Sequence, residues 1–339
     1  MKDLAIIDPC CAKGYAPADL KAGVLGGTEA TVLRVTQALS SDLQIIHFQK
    51  GRDGSQDSFA GRLCPLDSLP DDPPAEMAVV LNSWKLACKL RKSWPETPVT
   101  LWLHIHPGKH NRKMGEALSQ AGVEVICVSQ SHADTLAAFL PGGPRPRIHV
   151  AYNPIDETLA PDETVRDQNQ LLFASAPHKG LRQVFAQFAA LRELMPDLRL
   201  SVADPGYLAW DTGPVPKGAQ LLGPLPHDRL IARMRHSLCL FYPQDSFAET
   251  FGLVLAEANA VGTPVLVQRG LGANDEVVTD PDQRLDGFDA ARVAQRLRNW
   301  QAWPPHVVAN PSFRLSTVAT RWRTLINAMV TPATQGMNA

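Results

Sequence analysis

The chain has 339 residues, enough for two domains of ordinary size. With 45% hydrophobic and 20% charged residues and a formal net charge of -1, it has the composition of a soluble globular protein and no charge excess that would suit nucleic acid. No uninterrupted apolar run approaches a membrane span, and the apolar run between Asp3 and Asp8 is too short for a secretory leader.

Strand and helix patterns alternate along the chain, which predicts an α/β fold with parallel sheets. In the first half, Leu4 to Ile7 reads as a strand, Gly27 to Ser40 as a helix and Leu43 to Phe48 as a second strand. A polar connection runs from Gly51 to Gly61. Met77 to Leu81, Val99 to Leu103 and Val123 to Val128 read as buried strands. The breaker cluster Pro141 to Pro146 precedes a last strand of this half, Arg147 to Tyr152. Asn153 to Gln170 is expected to be a linker.

The second half starts with a strand at Leu171 to Ser175 and a helix at Leu181 to Leu194. A strand at Leu198 to Ala203, a long Pro-rich loop from Asp204 to Gly218 and a short helix at Asp228 to Arg235 follow. The unit Leu238 to Val267 is the most informative. An apolar strand ends at Tyr242, a polar loop runs to Thr250, an apolar helix spans Phe251 to Ala260, and Gly262 and Pro264 stop it before the strand Val265 to Val267. Glu249 falls just before the helix and Glu257 about two turns inside it. Eight positions place them roughly 80° apart around a helix axis, so both carboxylates would lean over one crevice at the strand ends. The free amides of the helix start lie between them and suit a phosphate, and Thr250 is placed to cap that start. Arg314 to Val330 reads as a final helix, followed by a frayed tail from Thr331 to Ala339.

Six cysteines, Cys10, Cys11, Cys64, Cys88, Cys127 and Cys239, show no metal-ligand spacing and read as reduced thiols of a cytoplasmic protein, with Cys127 and Cys239 in buried strands. Lys85, Lys89 and Lys92 recur on one helix stripe beside Trp84 and Trp94. Such a stripe is either a solvated face or a surface that rests on anionic lipid at the inner face of a membrane.

The spacing of Glu249 and Glu257 resembles the Glu, seven residues, Glu motif of the retaining GT-B glycosyltransferases, in particular their large family four. The resemblance implies two Rossmann-like domains facing a cleft, with the C-terminal helix crossing back to the first. It places an acceptor-side domain at 1-152 with 311-339, and a nucleotide-sugar domain at 153-310. It implies that Glu249 contacts sugar hydroxyls of the donor, that the amides of Phe251, Gly252, Leu253 and Val254 contact diphosphate and sugar, and that Glu257 holds the ribose. Thr250 stands where the family often has Gly. Gly26 and Gly27, at the start of the first long helix, match a glycine-containing loop facing the donor diphosphate. Lys179-Gly180 match a Lys-Gly pair whose ammonium offsets charge on the leaving diphosphate. The family also carries an Arg a few residues upstream, where this chain has Phe173-Ala-Ser-Ala-Pro177. His178, Arg182 and Arg269 are candidates to replace it. His104, ahead of His106, matches a histidine near the transferred sugar, and strand alternation would put both on one face. Gly270 to Val277 resembles the family's glycine-rich segment ahead of a Glu-Val pair.

The implied reaction moves a sugar from a UDP-, GDP- or ADP-sugar to a hydroxyl of a glycan, a lipid-linked acceptor or a small molecule, with retention and without a metal or other cofactor. A sugar-nucleotide epimerase of the same fold and an inactive nucleotide-sugar binding protein are the alternatives. A dinucleotide-dependent oxidoreductase is disfavoured, because no Gly-x-Gly-x-x-Gly follows the first strand.

Overall fold

The computed structural model describes residues 2–22, 25–206 and 210–330. It divides into two compact units. The described residues of the first fall within Met1–Pro17, Thr28–Pro154 and Leu315–Ala339, and those of the second within Ala18–Gly27 and Ile155–Arg314.

The first unit is built on β1 (Lys2–Asp8), β2 (Ile45–Gln49), β3 (Gln56–Ser58), β4 (Gly61–Pro65), β5 (Ala75–Leu81), β6 (Val99–Leu103), β7 (Glu124–Cys127) and β8 (Ile148–Val150). These form one open sheet in the order β3-β4-β2-β1-β5-β6-β7-β8. Every pairing is parallel except that of β3 with β4. The central strands are apolar on both faces: Leu4 to Ile7 and Met77 to Leu81 are at most 1% exposed, as expected where helices cover a parallel sheet. The helices associated with this half of the chain are α1 (Pro17–Ala22), α2 (Gly27–Leu39), α3 (Trp84–Ser93), α4 (Met114–Ala121) and α5 (Gln130–Phe139).

The polar stretch 51–61 holds β3, and β4 follows it to extend the sheet beside β2. Gln56 and Asp57 of β3 are exposed, so this short edge strand has no buried face and leaves no apolar alternation to read. Gly61, at φ 111°, lies so close to Ile45 that a Cβ would stand 2.4 Å from its carbonyl oxygen. Trp94 does not flank a basic surface either. It is 2% exposed, and its indole donates to the Asp71 carbonyl at 2.6 Å. Lys85, Lys89 and Lys92 are exposed, and the Lys85 ammonium stands 5.7 Å from the ring centre of the half-buried Trp84.

The second unit carries β9 (Asp167–Ala174), β10 (Arg199–Ala203), β11 (Ala219–Leu221), β12 (Ser237–Tyr242), β13 (Val265–Gln268) and β14 (Arg284–Leu285). They form a parallel open sheet in the order β11-β10-β9-β12-β13-β14. Its helices are α6 (Leu181–Leu194), α7 (His227–His236), α8 (Leu253–Ala260), α9 (Asn274–Val277) and α10 (Ala290–Ala302). The expected linker ends earlier than its polarity suggests. β9 begins at Asp167, where Asp167 pairs with Arg199 and Gln170 is in register with that same residue. A strand end that projects past the core is held by backbone and charge, so hydropathy alone misses it.

The last helix, α11 (Leu315–Val330), follows the second unit in sequence but belongs to the first. Val318, Trp322, Leu325 and Ile326 form its buried stripe. Trp322 meets Trp102 of β6 edge-on at 4.4 Å between centroids, and Arg321 donates to the Val150 carbonyl at 3.0 Å. The expected tail, 331–339, lies outside the described residues, as do Tyr207 to Ala209 of the Pro-rich loop.

Candidate active site

The chemistry-bearing residues of the second unit gather at the carboxyl ends of β9 and β12. β12 is buried along its whole length and delivers Tyr242 to the sheet edge. The loop after it runs to Gly252, the N-cap of α8, at φ 86° and without a side-chain cap bond. Thr250 is therefore not the cap. α6 likewise starts after a left-handed glycine, Gly180 at φ 88°, where a Cβ would stand 2.6 Å from Gln244 Cβ. Gln244, 1% exposed, holds the loop by donating to the Phe247 carbonyl at 2.8 Å and accepting the Phe247 amide at 2.7 Å. Glycine at both helix entrances removes the Cβ that would block the left-handed turn.

Glu249 is 6% exposed and is the centre of the group. Lys179 Nζ lies 3.0 Å from each of its carboxylate oxygens, and the Tyr242 hydroxyl donates to Oε1 at 2.9 Å. The same ammonium stands 4.8 Å over the Phe247 ring. The backbone of Glu249 is fixed from another side: its carbonyl accepts the Ala273 amide at 2.9 Å, and a Cβ on Gly272 would meet that carbonyl at 2.4 Å.

Glu257 is 4% exposed, and its Oε1 stands 3.0 Å from His227 Nε2 at the start of α7. α8 starts at Leu253, so Glu257 lies little more than one turn inside it and Glu249 lies outside it. Only one of the two acids is helical, so the roughly 80° separation expected around one helix axis does not arise. The Phe251 side chain belongs to the core, fully buried and edge-on to Phe313 at 5.0 Å. The first intrahelical bonds run from Leu255 and Ala256 to the Gly252 carbonyl, so the amides of Leu253 and Val254 precede them at the sheet edge.

The first unit holds His104, 6% exposed, just after β6. Burial, and then the neighbouring His132, pull its pKa down to about 3, so the imidazole is neutral at neutral pH. The strand stops at Leu103, so alternation does not reach His106. The backbone 104–106 is held instead by residues that the sequence left unmarked. Asn82 Oδ1 accepts the His104 amide at 2.7 Å, and His132 Nε2 meets the Ile105 carbonyl at 3.2 Å. Asn82 sits in the left-handed region at φ 53°, a conformation that Asn adopts more readily than most residues. His110 is exposed. Gly27 opens α2, and a Cβ there would meet no protein atom within 4 Å, so packing does not call for glycine at that position. Gly26 precedes it, half-buried.

Arg182 is paired with Asp211, and Arg269 lies 3.2 Å from Asp286. The cysteines are free thiols. Burial raises Cys11 and Cys127 to about 12, which keeps both in the unreactive thiol form. Among the described residues, no group of three His, Cys, Asp or Glu side chains is placed to hold a metal ion. Among them, too, no helix is long and apolar enough to cross a membrane.

Residues 157–298 match the family described as glycosyl transferases group 1. Over 142 residues, 40% of this chain, the sequence is 33% identical to a D-inositol 3-phosphate glycosyltransferase of Acidothermus cellulolyticus. That match spans 29% of the relative's length. The sucrose-phosphate synthase of Thermosynechococcus elongatus superposes with a TM-score of 0.68 at 15% identity, over 98% of this chain and 95% of that one. Anabaena HepE, solved in complex with UDP-glucose, superposes with a TM-score of 0.63 at 15% identity, over 97% and 96%. The fold expected from the sequence, α/β with two sheets of mostly parallel strands in the GT-B manner, is the fold observed.

Proposed function

We propose that this GT-B protein is a glycosyltransferase that moves a sugar from a nucleotide-diphosphate sugar to an acceptor hydroxyl, with retention and without a metal. The observation that carries the reading is the Lys179–Glu249–Tyr242 group beside the first amides of α8. In this reading the Lys179 ammonium and the amides of Leu253 and Val254 take the diphosphate, where negative charge grows as the glycosidic bond breaks. Glu249 accepts hydrogen bonds from sugar hydroxyls, and Tyr242 fixes its orientation. Glu257, steadied by His227, accepts from the ribose. The neutral His104 contacts the transferred sugar, and Gly26 and Gly27 allow a phosphate close to the backbone. The anomeric carbon–phosphate oxygen bond breaks, the acceptor oxygen bonds to that carbon on the same face, and the leaving phosphate takes the acceptor's proton. No protein base is required.

Thermal-shift titration with UDP-, GDP- and ADP-sugars tests the donor class. A donor at a hundred times its Kd is expected to stabilise the protein by about 2.7 kcal/mol. A flat response to all three overturns the reading. Turnover of labelled donor without acceptor to an isomeric nucleotide sugar would identify an epimerase, and binding without turnover an inactive receptor.

Tyr242→Phe removes one donor to Glu249 and leaves the ring stacked on Phe173 at 5.6 Å between centroids. A hydrogen bond to a charged group contributes about 1.5–3 kcal/mol, so kcat/KM is expected to fall about ten- to a hundredfold. Unchanged steady-state kinetics would remove Tyr242 from the site.

A further inference from the structure

The second cation that the sequence resemblance calls for is not among Phe173 to Pro177, where β9 ends. Phe173, Ala174 and Ala176 are buried and uncharged. Arg182 and Arg269 are each paired with an exposed carboxylate, Asp211 and Asp286. We propose that His178 is that cation, protonated while a nucleotide-diphosphate sugar is bound and neutral in the free protein. The inference rests on the donor-binding reading above.

Its geometry is specific. The His178 ring meets Phe247 edge-on at 5.5 Å, and the Lys179 ammonium stands 4.8 Å over that same Phe247 ring. His178 therefore shares one aromatic support with the lysine assigned to the diphosphate. Trp210 closes another side of the imidazole at 5.9 Å. His178 Nδ1 is buried and has no hydrogen-bond partner in the protein. A buried ring nitrogen without a partner is uncommon, so no protein hydrogen bond at Nδ1 fixes the tautomer or charge of the ring.

The charges around the ring set the direction of the switch. Burial and then Lys179 lower the pKa of His178, while Glu249, from the loop ahead of α8, and Asp204, at the end of β10, oppose them. In the free protein the imidazole is therefore neutral at neutral pH. A diphosphate brought beside it favours the imidazolium. The pKa is low in the free state and raised in the complex, so binding takes up a proton in the window between the two values. Donor affinity accordingly rises as pH falls through that window. Both phosphates of a nucleotide sugar are diesters that do not titrate near neutrality, so a proton taken up goes to the protein.

Calorimetric titration with UDP-glucose, GDP-mannose or ADP-glucose, whichever stabilises the protein, in buffers of different ionisation enthalpy tests the proposal. Wild type is expected to take up protons and to bind up to about tenfold tighter per pH unit lowered within the window. His178→Gln should bind more weakly, with no proton uptake and a Kd that does not move between pH 8 and 6. His178→Arg should bind tightly at both pH values. Binding by wild type without proton uptake overturns the assignment. So does a pH dependence retained in H178Q, which would point to His227. If none of the three nucleotide sugars binds wild type, the donor reading fails and this proposal falls with it.

Discussion

Glu249→Gln is expected to lower kcat/KM by about two to three orders of magnitude, the loss seen when one preorganised polar contact to a reacting centre is removed. The substitution keeps the shape of the side chain, and one amide oxygen can still accept from Tyr242. What it removes is the charge that fixes Lys179, whose ammonium lies 3.0 Å from both carboxylate oxygens. Breaking a fully buried ion pair costs about 3–5 kcal/mol of stability. The Lys179 side chain is 24% exposed, so water relieves part of that loss and a smaller shift in melting is expected. Activity and folding therefore separate. Donor consumption assayed beside a melting curve should show a large kinetic loss with a modest fall in Tm, and near-normal transfer by E249Q would refute the role given to Glu249.

Gly272→Ala should approach the same loss without touching any reacting group. Gly272 has φ 54°, and an added Cβ would lie 2.4 Å from the Glu249 carbonyl oxygen, 2.7 Å from its nitrogen and 3.0 Å from the Ala248 carbonyl carbon. All three are backbone atoms, which cannot rotate away as a side chain can. The loop carrying Glu249 must move, and the bond from the Ala273 amide lengthens with it. A displacement of about 1 Å at a reacting centre costs about a hundredfold in rate. Overpacking adds about 1–3 kcal/mol of destabilisation. Gly270→Ala is the control, because its φ of 69° imposes the backbone cost while a Cβ there meets nothing within 4 Å. Equal kinetics for the two variants would show that contact with Glu249 is not what requires glycine at 272.

The site was partly legible before folding. The chain from Tyr242 to Val267 marked its own strand, loop, helix and strand, because apolar runs, a polar interruption and a Gly–Pro stop are local signals. Lys179 and Glu249 each stand out in the sequence, but only as separate candidates. That one grips the other across 70 positions follows from β9 and β12 being neighbours in the sheet, a strand order that no local pattern encodes. Tyr242 and His227 carry no local signal for the same reason. A tyrosine ending a buried strand and a histidine opening a helix gain meaning only when their partners are in place.

The sequence by itself determined the alternating elements, the glycines at helix entrances and the resemblance that pointed to an activated sugar, since each depends on residues a few positions apart. Tertiary structure alone decided that Trp94 turns inward, that β3 and β4 extend the sheet, that Asn82 and His132 hold the His104 backbone, and that Lys179 and Glu249 neutralise one another. Those facts depend on register and side-chain burial between distant segments, which become defined once the sheets close over their cores.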